Sequence, residues 1–406
     1  MIAVSGCNDA KPAARAPISA TAAPGSATPT AAAAPATPDP TTRRVHSQVL
    51  GEDRTIQVYL PESYERSHRY RRYPVLVFRD GQKFFHSFTG VVDQLASDAT
   101  PHIPEMIAVG IVETDRVRDS SATHSLKGFT GTEESGYASS GGGERFLRFL
   151  EQELIPYVDQ NFSTSPYRIY CGYSFTGLSA LAALLDEHSS FRAYIAIDPS
   201  WWWDDYATER AARAVLATRR FAQVQLFLAS SGEIYPPRYF IAARDVQSLA
   251  HMLTDIHPAG LDWTAKRYAD ESHHSLPLLA LYDGLSYLFR GYKPTLDELY
   301  NSPERLVLRY EQLSARLGDK VMLSEGLLDF FGHEFLDNFK ELDKAARYFE
   351  INASYYPQSP GVWDSLGELY AVKHDPAAAA RMYEKALALD PRDENAASKL
   401  QELRGK

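Results

Sequence analysis

The residues best placed to do chemistry lie around Ser174, in the stretch Arg168-Ile169-Tyr170-Cys171-Gly172-Tyr173-Ser174-Phe175-Thr176-Gly177-Leu178. An apolar strand pattern stops at the serine and a helical pattern begins at once, over residues 178–185. A serine hydroxyl is a weak nucleophile until a base and donors for an oxyanion are held beside it. A strand–Ser–helix turn lifts Oγ out of the sheet and aims the next N–H, that of Phe175, at the charge developing during acyl transfer. The helix N-terminus adds partial positive charge there. The motif's usual form is Gly-x-Ser-x-Gly. Gly172 fits it, whereas Thr176 stands in the second glycine position and Gly177 follows one place late. Far downstream, His273 and His274 lie on a loop between a strand-like segment, 263–268, and a proline-led helix, 277–289. Imidazole can take the serine proton near neutral pH and return it to the leaving group.

These residues need a scaffold that brings them to one edge. Segments 45–50 and 55–60 alternate as an antiparallel hairpin around Gly51-Glu52-Asp53. Continuous apolar runs follow at 75–78, 106–112, 193–197 and 224–228, separated by helical patterns such as 144–158 and 245–256. In the latter, Val246, Leu249, Leu253 and Ile256 share one face. Apolar strands alternating with helices predict an α/β class with a mostly parallel sheet covered on both faces.

Six blocks, read in chain order, resemble a known family. Tyr73-Pro74-Val75-Leu76-Val77-Phe78-Arg79-Asp80-Gly81 and Ile107-Ala108-Val109-Gly110-Ile111 come first. Arg116-Val117-Arg118-Asp119 and Gly172-Tyr173-Ser174-Phe175 follow. Asp198-Pro199-Ser200-Trp201-Trp202-Trp203 and Glu271-Ser272-His273-His274-Ser275 complete the set. Over roughly residues 45 to 292 they are similar to the esterase group of α/β hydrolases that includes esterase D-like and ferric-siderophore (enterochelin-type) esterases. The resemblance implies an α/β-hydrolase fold and a serine carboxylesterase that forms an acyl-enzyme on a small-molecule ester, without a cofactor. It implies Ser174 as nucleophile, His273 rather than His274 as base, and Gly81 or Gln82 as the second oxyanion donor beside Phe175. The triad acid falls to Glu233, after the seventh strand, with Asp198 as the alternative. Trp202, Trp203 and Tyr173 would line the substrate pocket, with at least one of the three tryptophans at 201–203 equally expected to be core. Arg79 would favour anionic substrates if it faces that pocket; otherwise it pairs with Asp80 or Asp119 on the surface. The family usually has Leu or Tyr, Gly and Ser at positions 79, 176 and 198. Thr176 therefore also suggests a second reading, a degenerate hydrolase scaffold acting as an interaction protein through its C-terminal helices.

Composition bounds the partners. The chain has 406 residues, 44% of them hydrophobic, and a net charge of −10, which disfavours nucleic acid and anionic membranes as partners. No phosphate-cradling glycine loop or metal-ligand spacing is visible; Gly141-Gly142-Gly143 leads into a helix rather than following a strand. Of the two cysteines, Cys171 lies within the elbow strand as a small buried hydrophobe. Val4-Ser5-Gly6-Cys7 matches the end of a bacterial lipoprotein signal, but only six residues precede Cys7. Either the true start lies upstream or the match is chance. Residues 8–41 are rich in Ala, Pro and Thr, as an extended tether would be. Together these features predict a periplasmic enzyme of the bacterial cell envelope, lipid-anchored at Cys7, or a cytoplasmic one if the match is chance.

The domain boundaries expected are a tail at 1–41, a catalytic domain at 42–300 and a helical unit at 318–406. Within that unit Trp363, Leu366, Gly367, Tyr370, Ala379, Tyr383, Ala386 and Pro391 fall at tetratricopeptide spacing. Ala345, Phe349 and Pro357 precede them by one period, with a degenerate first helix at 327–339 and a capping helix at 395–403. Two repeats are too few to stand alone, so the unit should dock on the catalytic domain and present a surface for a protein partner.

Overall fold

Strand alternation sets how the sheet is buried. The computed structural model describes residues 41–97, 101–232 and 242–405. Eight strands form one sheet in the order β1-β2-β4-β3-β5-β6-β7-β8. β1 (Thr42–Ser47) and β2 (Glu52–Tyr59) make an antiparallel hairpin, and β2 pairs antiparallel with β4 (Ile107–Ile111). β4, β3 (Tyr73–Phe78), β5 (Thr164–Tyr173), β6 (Ala193–Ile197), β7 (Val224–Ser231) and β8 (Leu261–Tyr268) are parallel. Successive side chains point to opposite faces. Leu76, Phe78, Ile169, Cys171, Ile195 and Ile197 enter one core. Val75, Val77, Tyr170, Tyr194 and Ala196 enter the other. Both faces are covered, so the central strands read as unbroken apolar runs.

The helix Gly81–Ala96 follows β3, Phe175–Leu185 follows β5, Trp203–Thr218 follows β6 and Leu276–Leu288 follows the loop after β8. The single helix expected over 144–158 is three pieces: Gly143–Phe149, a π-helical turn at Leu150–Leu154, and Ile155–Asn161. Pro156 explains the interruption, because its ring excludes the preceding turn's ordinary carbonyl geometry and it has no N–H to donate.

The C-terminal helices as far as Pro360–Val372 extend one of the two cores, and the last two add a small cluster of their own around Ala379, Tyr383, Ala386 and Leu400. Tyr292, Tyr310, Leu328, Tyr348 and Leu366 are continuous with the cluster that holds Leu76 and Phe78. Helices Glu325–His333 and Leu342–Tyr355 pack as a hairpin, followed by Pro360–Val372, Pro376–Leu389 and Glu394–Arg404. A Cβ on Gly332 would lie 2.3 Å from the Phe349 ring, and one on Gly367 would lie 2.5 Å from that of Tyr383. The same small-against-aromatic contact thus recurs one period later, near the tetratricopeptide spacing. Cys7 and the Ala/Pro/Thr-rich tail lie outside the described residues. Among those described, no helix is long and apolar enough to cross a membrane.

Candidate active site

β5 ends at Tyr173 and the next helix begins at Phe175, leaving Ser174 alone to turn the chain. Its backbone sits at φ 59 and ψ −121, a conformation that costs an L-residue about 1–3 kcal/mol. The turn persists because its neighbours hold it. Ser174 N–H donates to the Ile197 carbonyl at 2.8 Å, and its own carbonyl accepts from Ser200 N–H at 3.0 Å. The hydroxyl makes no capping bond to the helix it precedes. Gly172 is obligatory, since a Cβ there would lie 2.0 Å from the Thr176 carbonyl oxygen. The second small position is met by Gly177, where a Cβ would stand 3.1 Å from Pro199 Cα. Cys171, just upstream, is fully buried, and burial pushes its thiol well above the ordinary range. It has no nucleophilic role.

β6 delivers Asp198 to the same edge. Tyr173 pairs with Ile197 and Ile197 with Ala229, so β5 and β6 end level while β7 runs on to Ser231. Asp198 is 1% exposed. One carboxylate oxygen accepts from Ser231 N–H at 3.0 Å, and the other is 2.9 Å from His273 Nδ1. His273 hangs on the loop after β8, partly exposed, with its ring 4.6 Å from that of Tyr173, the residue before Ser174. His274 is exposed and meets the Tyr173 hydroxyl at 3.4 Å instead. Glu233, the first-choice acid, lies outside the described residues. Asp198 is the carboxylate seen on His273.

A second loop faces the elbow. Asp80 takes a left-handed conformation (φ 58, ψ 39) at the start of the helix Gly81–Ala96. Gly81 and Gln82 then occupy the first helical positions, whose N–H groups have no acceptor within the helix. Phe175 holds the same position on its own helix. A side chain at 81 is impossible, as its Cβ would fall 2.9 Å from the Gly110 carbonyl carbon. Gln82 turns its side-chain oxygen to Glu113 N–H at 3.0 Å, which leaves its own amide as the group to consider for an oxyanion.

Arg79 departs from both sequence expectations. It is 1% exposed and forms a bidentate pair with Glu113, both contacts at 2.6 Å, over the Phe146 ring. Burial opposes its charge, but nearby anionic groups, Glu113 foremost, raise its pKa above the ordinary value. Glu113 also accepts from Asp80 N–H at 3.1 Å. Arg79 therefore braces the second loop from behind and does not touch substrate.

The tryptophans divide. Trp201 and Trp203 are 1% exposed and belong to the core, with Trp203 Nε1 donating to the Thr123 carbonyl. That corrects the expectation that Trp203 lines the pocket. Trp202 is only partly buried and meets Phe175 edge-on at 5.8 Å and Phe129 at 6.0 Å. Tyr137 stacks on Phe175 at 5.7 Å. Phe129 and Tyr137 were missed because they sit on the irregular loop between Ser121 and Gly142, where no periodicity marks them. Tyr173 is 5% exposed and backs the His273 ring rather than offering a free face. A separate cleft of about 910 Å³, lined by Tyr70, Arg71, Glu105, Glu325 and Glu368, contains none of these residues.

Comparison with known proteins gives consistent relatives. A family described as "Putative esterase" matches residues 47–228. A siderophore triacetylfusarinine C esterase of Aspergillus fumigatus is 30% identical over 201 residues, covering 47% of this chain and 67% of its own. The ferri-bacillibactin esterase BesA of Bacillus subtilis is 28% identical over 222 residues, covering 51% of this chain and 76% of its own. Among solved structures, an IroE-like serine hydrolase from Shewanella oneidensis superposes with a TM-score of 0.71 at 30% identity, over 77% of this chain and 99% of that one.

Proposed function

Because this chain belongs to the esterase family of α/β hydrolases, with the siderophore esterases it resembles, and is a carboxylic ester hydrolase, we propose that it works through a serine acyl-enzyme. Ser174 is the nucleophile, His273 the general base and Asp198 the acid that orients it. The observation carrying this reading is the 2.9 Å contact of His273 Nδ1 with buried Asp198, at the sheet edge where Ser174 is held in a strained turn. With Nδ1–H donated to Asp198, the far nitrogen of His273 is the one that takes the serine proton. Ser174 Oγ attacks the ester carbonyl, and the oxyanion is met by Phe175 N–H together with Gly81 or Gln82 N–H. His273 returns the proton to the departing alkoxide. Water, deprotonated by the same imidazole, then attacks the acyl-enzyme, and Ser174 leaves with its proton restored.

The substrate is an ester large enough to use the wall of Phe129, Tyr137, Phe175 and Trp202. The siderophore esterases among the relatives support a siderophore ester. Turnover of triacetylfusarinine C and bacillibactin should be compared with that of a short-chain aryl ester. Mass spectrometry of the quenched reaction should find acylated Ser174. Ser174→Ala should lower kcat by about 10⁴- to 10⁶-fold with unchanged melting. Full turnover by that variant would end the serine reading.

A further inference from the structure

Thr176 is the one residue of the elbow that departs from the glycine of the family pattern, yet its side chain is fully buried and fully engaged. Its Oγ1 accepts from Tyr173 N–H at 2.8 Å. Its single proton has two acceptors in reach, the Tyr173 carbonyl at 2.8 Å and Asp80 Oδ2 at 3.0 Å. The carbonyl is already served by Arg116 Nη2, which donates to it at 2.8 Å. A carboxylate is the stronger acceptor. Given to Asp80, that proton ties the elbow to the loop opposite. Arg116 completes the circuit by donating to both Asp80 oxygens, at 2.7 and 3.1 Å.

The two ends of this circuit flank the two sources of oxyanion donors. Tyr173 and Thr176 bracket Ser174 and Phe175, and Asp80 immediately precedes Gly81. Asp80 holds a left-handed backbone, which aspartate tolerates better than most residues but at some cost. Its N–H is fixed by Glu113, its carboxylate by Arg116 and Thr176. We infer that Thr176 is a positioning residue: its hydroxyl is a strut that sets the separation between the Phe175 N–H and the Gly81 and Gln82 N–H groups. The inference rests on the serine-esterase reading and adds a specific role for the hydroxyl, distinct from the bulk of the side chain. Thr176 does not touch substrate.

Oxyanion donors act on the transition state, so their misplacement should appear in kcat and not in KM. Losing a donor outright costs about 10²- to 10³-fold. Loosening two should cost less, about 10- to 100-fold. Steady-state kinetics on an aryl ester should show Thr176→Val, which keeps the shape and removes the hydroxyl, reduced to that extent in kcat with KM within about 3-fold. Affinity for a boronic acid, whose tetrahedral serine adduct occupies the oxyanion hole, should weaken in parallel. Thr176→Ser should restore both. Asp80→Asn, which keeps the shape but removes the charge and one acceptor oxygen, should show the same pattern, and the Thr176→Val/Asp80→Asn pair should lose less than the product of the single losses. Unchanged kcat in Thr176→Val, equal impairment of Thr176→Ser, or a loss confined to KM would overturn the strut. If Thr176→Val fails to fold, Asp80→Asn decides by the same kcat and boronate readouts. Ser174→Ala separates the premises: a dead Ser174→Ala beside an undisturbed Thr176→Val rejects the strut alone, whereas an active Ser174→Ala rejects the reading beneath it.

Discussion

Replacing Asp198 by asparagine should cripple the enzyme without unfolding it, and the surroundings of the carboxylate set the size of the effect. Asp198 has two engaged oxygens: one accepts from Ser231 N–H at 3.0 Å, the other faces His273 Nδ1 at 2.9 Å. An asparagine has one oxygen. Keeping it on Ser231 turns the amide NH₂ toward His273, which must then present a lone pair at Nδ1 and carry its proton on the nitrogen meant for serine. That tautomer cannot act as the base. The flipped amide keeps the right tautomer but sets NH₂ against the Ser231 N–H in a fully buried site, leaving donors unpaired at about 1–3 kcal/mol. Only about one molecule in ten to one in a hundred should then be competent. Loss of the charge that stabilises the imidazolium takes the rest, for a fall in kcat of about 10⁴, or about 5.4 kcal/mol. The assay is steady-state hydrolysis of an aryl ester, with thermal unfolding as the control. A well-folded Asp198→Asn retaining more than about a tenth of wild-type kcat would refute the assignment. A collapse in Glu233→Gln instead would move the acid to the loop after β7.

Three further outcomes follow from the same geometry. His273→Ala should match the loss in Ser174→Ala, whereas His274→Ala, whose imidazole is exposed and meets the Tyr173 hydroxyl and the His273 ring edge, should stay within about 10-fold; the reverse order would show that the wrong histidine was chosen. Ser174→Gly should unfold about 1 kcal/mol harder than Ser174→Ala, because only glycine relieves the φ 59 turn, and equal or lower stability would mean the turn is unstrained. In the C-terminal helices, the hydrogen bond to Glu368 raises the His333 pKa from 6.5 to about 9, with burial opposing it and Asp329 adding to it. A raised pKa gives stability fully present below about 6.5 and lost as pH rises through about 9. After allowance for solvent around a partly exposed imidazole, this amounts to about 1 kcal/mol. Urea unfolding should therefore show the wild-type advantage over His333→Gln at pH 6 shrinking by pH 10; a constant gap would refute the pairing.

The parts of this fold legible in the sequence are those written by local periodicity and local strain. The elbow could be read because a strand pattern, a lone serine and a helix pattern abut, and the parallel sheet could be read because its inner strands are apolar on both faces. What escaped depends on pairs far apart in the chain. Asp198 could be read only as the alternative acid at the end of the sixth strand, since it meets His273 only when β6 and the loop after β8 reach the same edge. Arg79 read either as a substrate-facing charge or as a surface partner of Asp80 or Asp119 because its partner Glu113 arrives from the end of another strand; once paired over the Phe146 ring, it is a brace. Thr176 read as a flaw for the complementary reason. The motif counts small residues for clearance, and clearance is met by Gly172 and Gly177, so position 176 is released from the glycine rule and its side chain can serve the loop opposite. A departure from a motif therefore marks damage only if no other residue supplies the clearance that the motif requires. Here another does, and the same departure that suggested a degenerate site places a buried hydroxyl between the serine elbow and the loop that begins at Asp80.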